Sequence, residues 1–542
     1  MSNGVAAIEE STVIDRPAAI RTPTAPSFDG PSARKDLRKT AAKHAAAPVE
    51  GWRRVARDGL YVGGSTAIGH LLAAATSLLL RLLLDPAEMG IWQGLKVVLS
   101  YANYTNLGTS KAAARELAIA RGKGDISLAR RSLDLAFTFN TLTSAIYGLV
   151  VLAAAGAIAV WSIGPWRWAW CGGLVAIAAL AVLQRHVTFL ITLLRSLQAF
   201  AVTSQVAILE GVLTLAVAVV ATWIFGLPGL CLGSLVVFLG SWYWLRAAGA
   251  PRMTWSWNSR EIRQLVGVGG PLLLVGLLTS LFRSLDKLLI LAFFEDREFQ
   301  LGCYSLAILG GTQLTGVASM LSIVMSPRLA EMVGHADDHR AAARLAARTL
   351  ELQGLIMSGA AALMIVLVPA VFAQLLPDYM AGLTPLVLRT PGLVAFGLTL
   401  PVSGYLVAVN QQGRALVALG LAFVAAATSG AIALYFGAGL VAVALAMTLA
   451  DVVQLFALAG LAFRGVLDAR DWRRLLCVNG LAALPVLCFA LFAEHACPAA
   501  TCDWTTTMIK CLTVLILLSL CALVTYRLGN WGDAWRAEAA SC

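Results

Sequence analysis

Charge is scarce in this chain. Asp, Glu, Lys and Arg make up 13% of its 542 residues, about half the share usual in soluble proteins, while 59% are hydrophobic. That balance excludes a soluble globule, a disordered chain and a nucleic-acid-binding module, despite a net charge of +11. Histidine is rare too, and neither a CxxC pair nor a His cluster offers a metal site. No GxxxxGK[ST] loop occurs, so the chain carries no ATP-driven pump of its own. Large loops are also missing: SIGPWR, GLP and FGAG join apolar stretches directly, and the longest such connection is the EHACPAATCDW segment. A membrane-embedded glycan polymerase or ligase, which carries catalytic carboxylates on substantial outer loops, is disfavoured for that reason. A non-transporting scaffold remains as a bland alternative, and a channel ranks below a transporter.

What the chain has instead is long apolar runs, and its mean hydropathy is +0.77. A bilayer core about 30 Å thick takes roughly 20 mainly apolar residues per helix, and about fourteen runs meet that need. They lie near 60–84, 90–108, 132–161, 168–194, 203–225, 229–246, 265–294, 303–326, 350–375, 384–408, 414–435, 438–463, 476–493 and 507–526. Lipid offers no partners to free backbone groups, and the runs are too long for barrel strands, so the expected fold is an all-α polytopic membrane protein. Most of the 41 Lys and Arg fall in alternate connections if both termini are cytoplasmic. The basic excess therefore reads as topology in a multi-pass cytoplasmic membrane protein. Residues 1–58, rich in Ala, Pro, Ser and Thr around Arg34, Lys35, Arg38 and Lys39, are expected to form a disordered cytoplasmic tail without a cleaved signal.

An internal repeat organises the spans. Gly90 and Trp92 open the second run as Gly302 and Tyr304 open the eighth, Ser110–Lys111 recurs as Ser326–Pro327–Arg328, and Phe225–Gly226 recurs as Phe436–Gly437. The offset is nearly constant, which divides the chain into a lobe at 59–246, a linker at 247–264, a lobe at 265–463 and two further spans within 464–542. Because six spans per lobe is an even number, the lobes would be related by an axis along the membrane normal, with a substrate site between them.

Ionisable residues inside apolar spans need a reason, since each costs about 2.5–3.5 kcal/mol at the bilayer centre. Six are basic: Arg81, Lys96, Arg185, Arg283, Lys287 and Arg389. Either they line a cavity between the lobes or they snorkel to headgroups. Asp286, Glu210 and Asp451 are the intramembrane acids. Asp286 shares a helix face with Arg283 and could simply pair with it; the sharper alternative is exchange of H⁺ or Na⁺ at one of these acids. Tyr101, Tyr104 and Thr105 fall on one face of the second span, suited to stacking on sugars or to an interfacial position. Gly63, Gly64 and Gly69, and Gly267, Gly269, Gly270 and Pro271, read as close-packing or bending positions. Cys497 and Cys502 share one outer loop and form either a local disulfide or two thiols.

The residues also carry a family likeness. RLLLDPAEMGIWQGLKVVLSYANYTNLGTSKAAARELAIARGKGD, then RSLDKLLILAFF, LGCYSLA and SPRLAEM, then LPDYMAGLTPLVLRTPG and AVNQQGR resemble polysaccharide-repeat-unit flippases of the Wzx type. These O-antigen and exopolysaccharide flippases belong to the multidrug/oligosaccharidyl-lipid/polysaccharide (MOP) exporter superfamily. The likeness covers roughly 60–465 and omits the tail. It implies alternating-access transfer of an undecaprenyl-pyrophosphate-linked oligosaccharide to the outer leaflet, with spans one, two and seven lining the cavity. It implies no cofactor, coupling to H⁺ or Na⁺, and hand-over to a polysaccharide polymerase and chain-length machinery. A diphosphate needs cations within the membrane, so Arg81, Lys96, Arg283, Lys287 and Arg389 are candidate substrate contacts, with Arg185, Tyr101 and Tyr104 beside them. A lipid II flippase is the nearer rival, and a multidrug or cation antiporter the more distant one.

Overall fold

In the computed structural model, residues 51–122, 129–161, 164–336, 339–437, 439–498 and 503–529 are described; the expected tail lies almost wholly outside them. Every described element is helical. The helices are α1 (Gly51–Leu83), α2 (Pro86–Tyr101), α3 (Thr109–Gly122), α4 (Arg130–Trp161), α5 (Arg167–Ser196), α6 (Phe200–Leu213) and α7 (Val219–Ala247) in the N-terminal half. There follow α8 (Ser259–Phe293), α9 (Arg297–Ala336), α10 (His339–Leu375), α11 (Leu383–Ala408), α12 (Gln412–Tyr435), α13 (Gly439–Phe463), α14 (Ala469–Ala496) and α15 (Trp504–Gly529). Among the described residues, ten helical runs are long and apolar enough to cross a bilayer, and α8, bent by 54° between Gly270 and Leu273, makes eleven. That bend falls at Pro271, which lacks the N–H a straight helix needs there.

One of the ten runs is two antiparallel arms. Phe200–Ala247 is helical throughout in its hydrogen bonding, yet straight it would measure about 70 Å, more than twice the bilayer core. Gly226 breaks it, with φ 61° and ψ −140°, a backbone conformation that glycine adopts at little cost. The arms fold back on each other: a methyl group built on Gly233 would meet Ala218, and one on Gly240 would meet Leu213. The sequence reading of separate spans at 203–225 and 229–246 thus corresponds to one hairpin turning at Gly226.

The second span departs from its expectation. It ends as an α-helix at Tyr101, tightens into a 3₁₀ turn at Ala102–Tyr104, and reverses at Leu107 (φ 48°) and Gly108 (φ 83°) before α3. Tyr101, Tyr104 and Thr105 therefore do not share one regular helical face. Gly63, Gly64 and Gly69 of α1 are not packing positions either, since a methyl group on any of them would meet nothing within 4 Å.

The two halves meet where α2 crosses α9, backbone against backbone. A methyl group on Gly302 would lie 1.6 Å from the Pro86 carbonyl oxygen, and one on Gly90 1.8 Å from that of Glu298. Around this crossing a hydrophobic cluster joins Leu80, Met89, Ile91 and Leu95 to Leu306, Leu309, Phe372 and Tyr379. A separate core, including Leu314, Ala346, Ile365, Val402 and Val486, binds α9–α11 to α14. In Gly302→Ala the new methyl has no room, so overpacking of about 1–3 kcal/mol should outweigh the roughly 1 kcal/mol gained in helix propensity. The expected outcome is a lower thermal unfolding midpoint of the detergent-purified protein; an unchanged or higher midpoint would contradict the close approach.

Candidate functional site

Between the halves, α2 and α8 run side by side with polar residues at helical spacing on facing sides. From α2 these are Gln93, Lys96, Ser100 and then Tyr104; from α8 they are Thr279, Ser280, Arg283, Ser284 and Lys287. With Val97, Gly276 and Ile308 they enclose a cavity of about 560 Å³. Each stripe repeats every three to four residues, the period that keeps side chains on one helix face. Among the described residues, no Asp or Glu lines this cavity, whereas three cations do.

The cations hold their places in different ways. Lys96 Nζ lies 5.9 Å from the centroid of the Trp92 ring, and the Arg283 guanidinium lies 4.8 Å from that of Phe396. Both are cation–π distances, which anchor a charge without spending a carboxylate on it. Tyr101 does not line the cavity but ties its walls together, its hydroxyl 2.5 Å from Ser284 Oγ.

Behind Arg283 and Lys287 lies a smaller pocket of about 150 Å³ inside the C-terminal half. Those two side chains line both spaces, and Asp286, Tyr304, Arg389, Phe396 and Asp451 are among the other residues that line the inner one. Arg389 Nη1 and Asp451 Oδ2 form a buried ion pair at 2.5 Å between α11 and α13. Asp286 does not pair with Arg283, the plain role considered for it. Instead its carboxylate accepts the Lys287 backbone N–H at 2.8 Å, as a side chain beside its own helix can.

Two predicted substrate contacts lie elsewhere. Arg81 is buried but donates to Ser77 and to both the hydroxyl (3.1 Å) and the carbonyl (2.7 Å) of Ser305, fastening α1 to α9. Arg185 donates to the Asn103 carbonyl at 3.2 Å and to the Asn140 side chain, linking α5 to the 3₁₀ turn and α4. Both guanidiniums are occupied by neutral partners of the protein itself. Glu210, on α6, lines neither space. Cys497 is disulfide-bonded, and Cys502 lies outside the described residues.

Sequence reasoning missed Gln93, Ser100, Thr279, Ser280 and Ser284 as wall residues. The signal was available: in α2 and α8 the hydroxyl and amide residues recur in register with the lysines and arginine. A third space is different in kind. About 710 Å³ between α1, α9, α10 and α11 is lined by Leu71, Ala74, Leu309, Val317, Leu363 and their neighbours, almost entirely apolar apart from His70 and Gln313.

This arrangement is that of a helical membrane protein with a polar cleft between two halves. The sequence profile of the polysaccharide biosynthesis protein family matches residues 78–378, more than half of the chain, and the chain belongs to that family. Among solved structures, the lipid II flippase MurJ in an inward closed conformation superposes with a TM-score of 0.63 at 11% identity, over 86% of this chain and 99% of that one. A MATE transporter of Vibrio cholerae, VcmN, gives 0.53 at 15% identity over 81% and 100%. A MOP superfamily transporter from Pyrococcus furiosus gives 0.53 at 14% identity over 78% and 96%. At these identities the likeness establishes the MOP-type fold. Curated protein sequences contain no match.

The Arg389–Asp451 pair gives a direct test of the inner pocket. Removing one partner of a buried ion pair strands the other charge, at about 3–5 kcal/mol, whereas replacing both by apolar groups is often neutral. Arg389→Met should therefore lower the unfolding midpoint sharply, and Arg389→Met with Asp451→Leu should recover most of that drop. Additive destabilisation in the double variant would contradict the pairing.

Proposed function

We propose that this chain is a flippase which carries undecaprenyl-pyrophosphate-linked oligosaccharide repeat units across the cytoplasmic membrane by alternating access, for export of a surface polysaccharide. The observation that supports this best is the cavity walled by Lys96, Arg283 and Lys287, with no acid among its described lining residues. A diphosphate cannot enter a membrane interior unpaired. Here it would meet three cations not already neutralised by a carboxylate on the same wall. Gln93, Ser100, Tyr104, Thr279, Ser280 and Ser284 supply the hydroxyls, amide and aromatic ring that sugars use.

In this reading the two similar halves are the rocking lobes, 59–246 and 265–463, and both termini are cytoplasmic, as the basic connections suggest. Counting the hairpin at Gly226 as two brings the eleven spans to twelve, and α2 and α9 would complete the fourteen of this reading. Asp286 and Asp451 are the acids placed to couple transport to H⁺ or Na⁺, because they share the inner pocket with Arg283 and Lys287. Glu210 stands apart from that pocket and is left out of the coupling. A polymerase and its chain-length partners would take the flipped unit onward. A lipid II flippase faces the same diphosphate chemistry, and the description of the matching family favours the polysaccharide substrate over it. A drug or cation antiporter would want carboxylates where this cavity has bases.

The test is transport in cells. Arg283→Gln with Lys287→Gln should leave membrane insertion intact and trap lipid-linked repeat units in the inner leaflet. Removing a charge-assisted hydrogen bond costs about 1.5–3 kcal/mol, roughly ten- to a hundredfold in affinity for each cation replaced. Unchanged export would reject the site. Normal surface glycan in cells lacking the gene, together with altered dye resistance, would support the antiporter instead.

A further inference from the structure

A fourth positive charge stands at the rim of the cavity, and it belongs to α3, not to a wall helix. Gly276 lines the cavity on α8. A methyl group built there would lie 3.3 Å from a Tyr104 ring carbon and 4.0 Å from Lys111 Nζ. The lysine thus leans over the space that the missing side chain leaves. Lys111 is exposed, and among the described residues no carboxylate pairs with it and no hydrogen bond occupies its ammonium. A lysine present only to set topology has no need to reach over a cavity wall.

Its backbone is mounted on a close approach between the halves. The Lys111 N–H donates to the Gly108 carbonyl at 3.0 Å, and Gly108 adopts φ 83°. Gly108 and Gly269 press against each other without side chains. A methyl group on either would lie 2.2 or 2.1 Å from the other's carbonyl oxygen. Gly269 lies at the end of the first arm of α8, just before its bend. Separation of the halves at this point must therefore move Lys111 relative to Gly276 and the cavity mouth.

We propose that Lys111 is an entry cation, the first to meet the phosphate groups of an anionic lipid-linked substrate, carried on the Gly108–Gly269 junction and passing the anion inward to Arg283, Lys96 and Lys287. The proposal rests on the flippase reading above. Its spacing suits a relay. At a rise of about 1.5 Å per residue, Arg283 lies about 10 Å beyond the Gly276 level and Lys287 about 16 Å beyond it. The Debye length at physiological ionic strength is about 8 Å. An anion leaving Lys111 thus has the next cation little more than one screening length away.

Full-length protein in nanodiscs, with inorganic pyrophosphate as the probe, separates this role from that of the deep site. Steering by a rim charge acts on association rate and is screened by salt. At about 0.01 M ionic strength, where the Debye length is roughly 30 Å, Lys111→Gln should slow association about tenfold and leave dissociation nearly unchanged. At about 1 M, where that length is roughly 3 Å, the difference should vanish. Lys111→Arg should keep the wild-type rate, which a merely structural lysine would not require. By contrast, Arg283→Gln with Lys287→Gln should speed dissociation at every salt concentration. If Lys111→Gln matches wild type at low salt while the double variant binds weakly, the entry role is overturned and the cavity reading stands. If wild-type protein does not bind pyrophosphate at all, both fall together.

Discussion

A full positive charge between apolar helices must be bonded, stacked or hydrated, and this constraint sorts the cations of the chain into two groups. Arg81, Arg185 and Arg389 are bonded within the protein: Arg81 to Ser77 and Ser305, Arg185 to Asn103 and Asn140, and Arg389 to Asp451. They act as fasteners between helices. Arg283 and Lys96 rest instead on aromatic faces, and Lys287 lines both the cavity and the inner pocket. An aromatic face holds a cation in place but leaves its N–H donors free. Donors that are fixed yet unspent are what an anionic ligand requires, and here they converge on one wall.

The same constraint marks what the sequence could and could not disclose. Apolar run lengths reveal the helical membrane fold because the bilayer imposes its own thickness on every span. The intramembrane bases were equally legible, since each is expensive wherever it points. Their partners were not. Whether Arg81 faces a cavity or Ser305 depends on a residue more than two hundred positions away, and no local pattern encodes that choice. Arg283 and Asp286 have the spacing of a helical pair, yet the carboxylate turns to the Lys287 N–H. Conversely, the wall residues Ser100, Thr279 and Ser280 were written in the helical period of α2 and α8. A search confined to charged residues passes over them, because serine and threonine in membrane helices also satisfy their own backbone, as Thr279 does with the Val275 carbonyl.

Breaks in helices were readable in kind but not in consequence. Gly226 and Pro271 both announce interruptions. At Gly226 the chain folds into a hairpin, whereas at Pro271 it bends by 54° and continues as one element. The difference comes from packing: the arms beside Gly226 find each other through Gly233 and Gly240, while the second arm of α8 goes on to line the cavity. Small residues permit close approach wherever they stand. Among the described glycines, only at Gly90, Gly302, Gly108 and Gly269 does another backbone from the opposite half arrive to use it, and Gly63, Gly64 and Gly69 of α1 face open space.

These four glycines close the cavity at its two ends by unequal means. At the Gly90–Gly302 end, the backbone crossing is reinforced by Arg81 on Ser305, by the Tyr379 hydroxyl on the Leu84 carbonyl at 2.9 Å, and by the Trp170 indole on Glu298 at 3.0 Å. Leu80, Met89, Leu306 and Phe372 pack around them. Parting the halves there would strand several buried donors and acceptors at once, each costing about 1–3 kcal/mol if left unmet. At the Gly108–Gly269 end, the described polar ties between α2–α4 and α8 are Tyr101 to Ser284 and Arg131 to Glu261, and the second is an exposed ion pair of small worth. The asymmetry is energetic before it is functional: in this conformation the weaker closure is the one that carries Lys111.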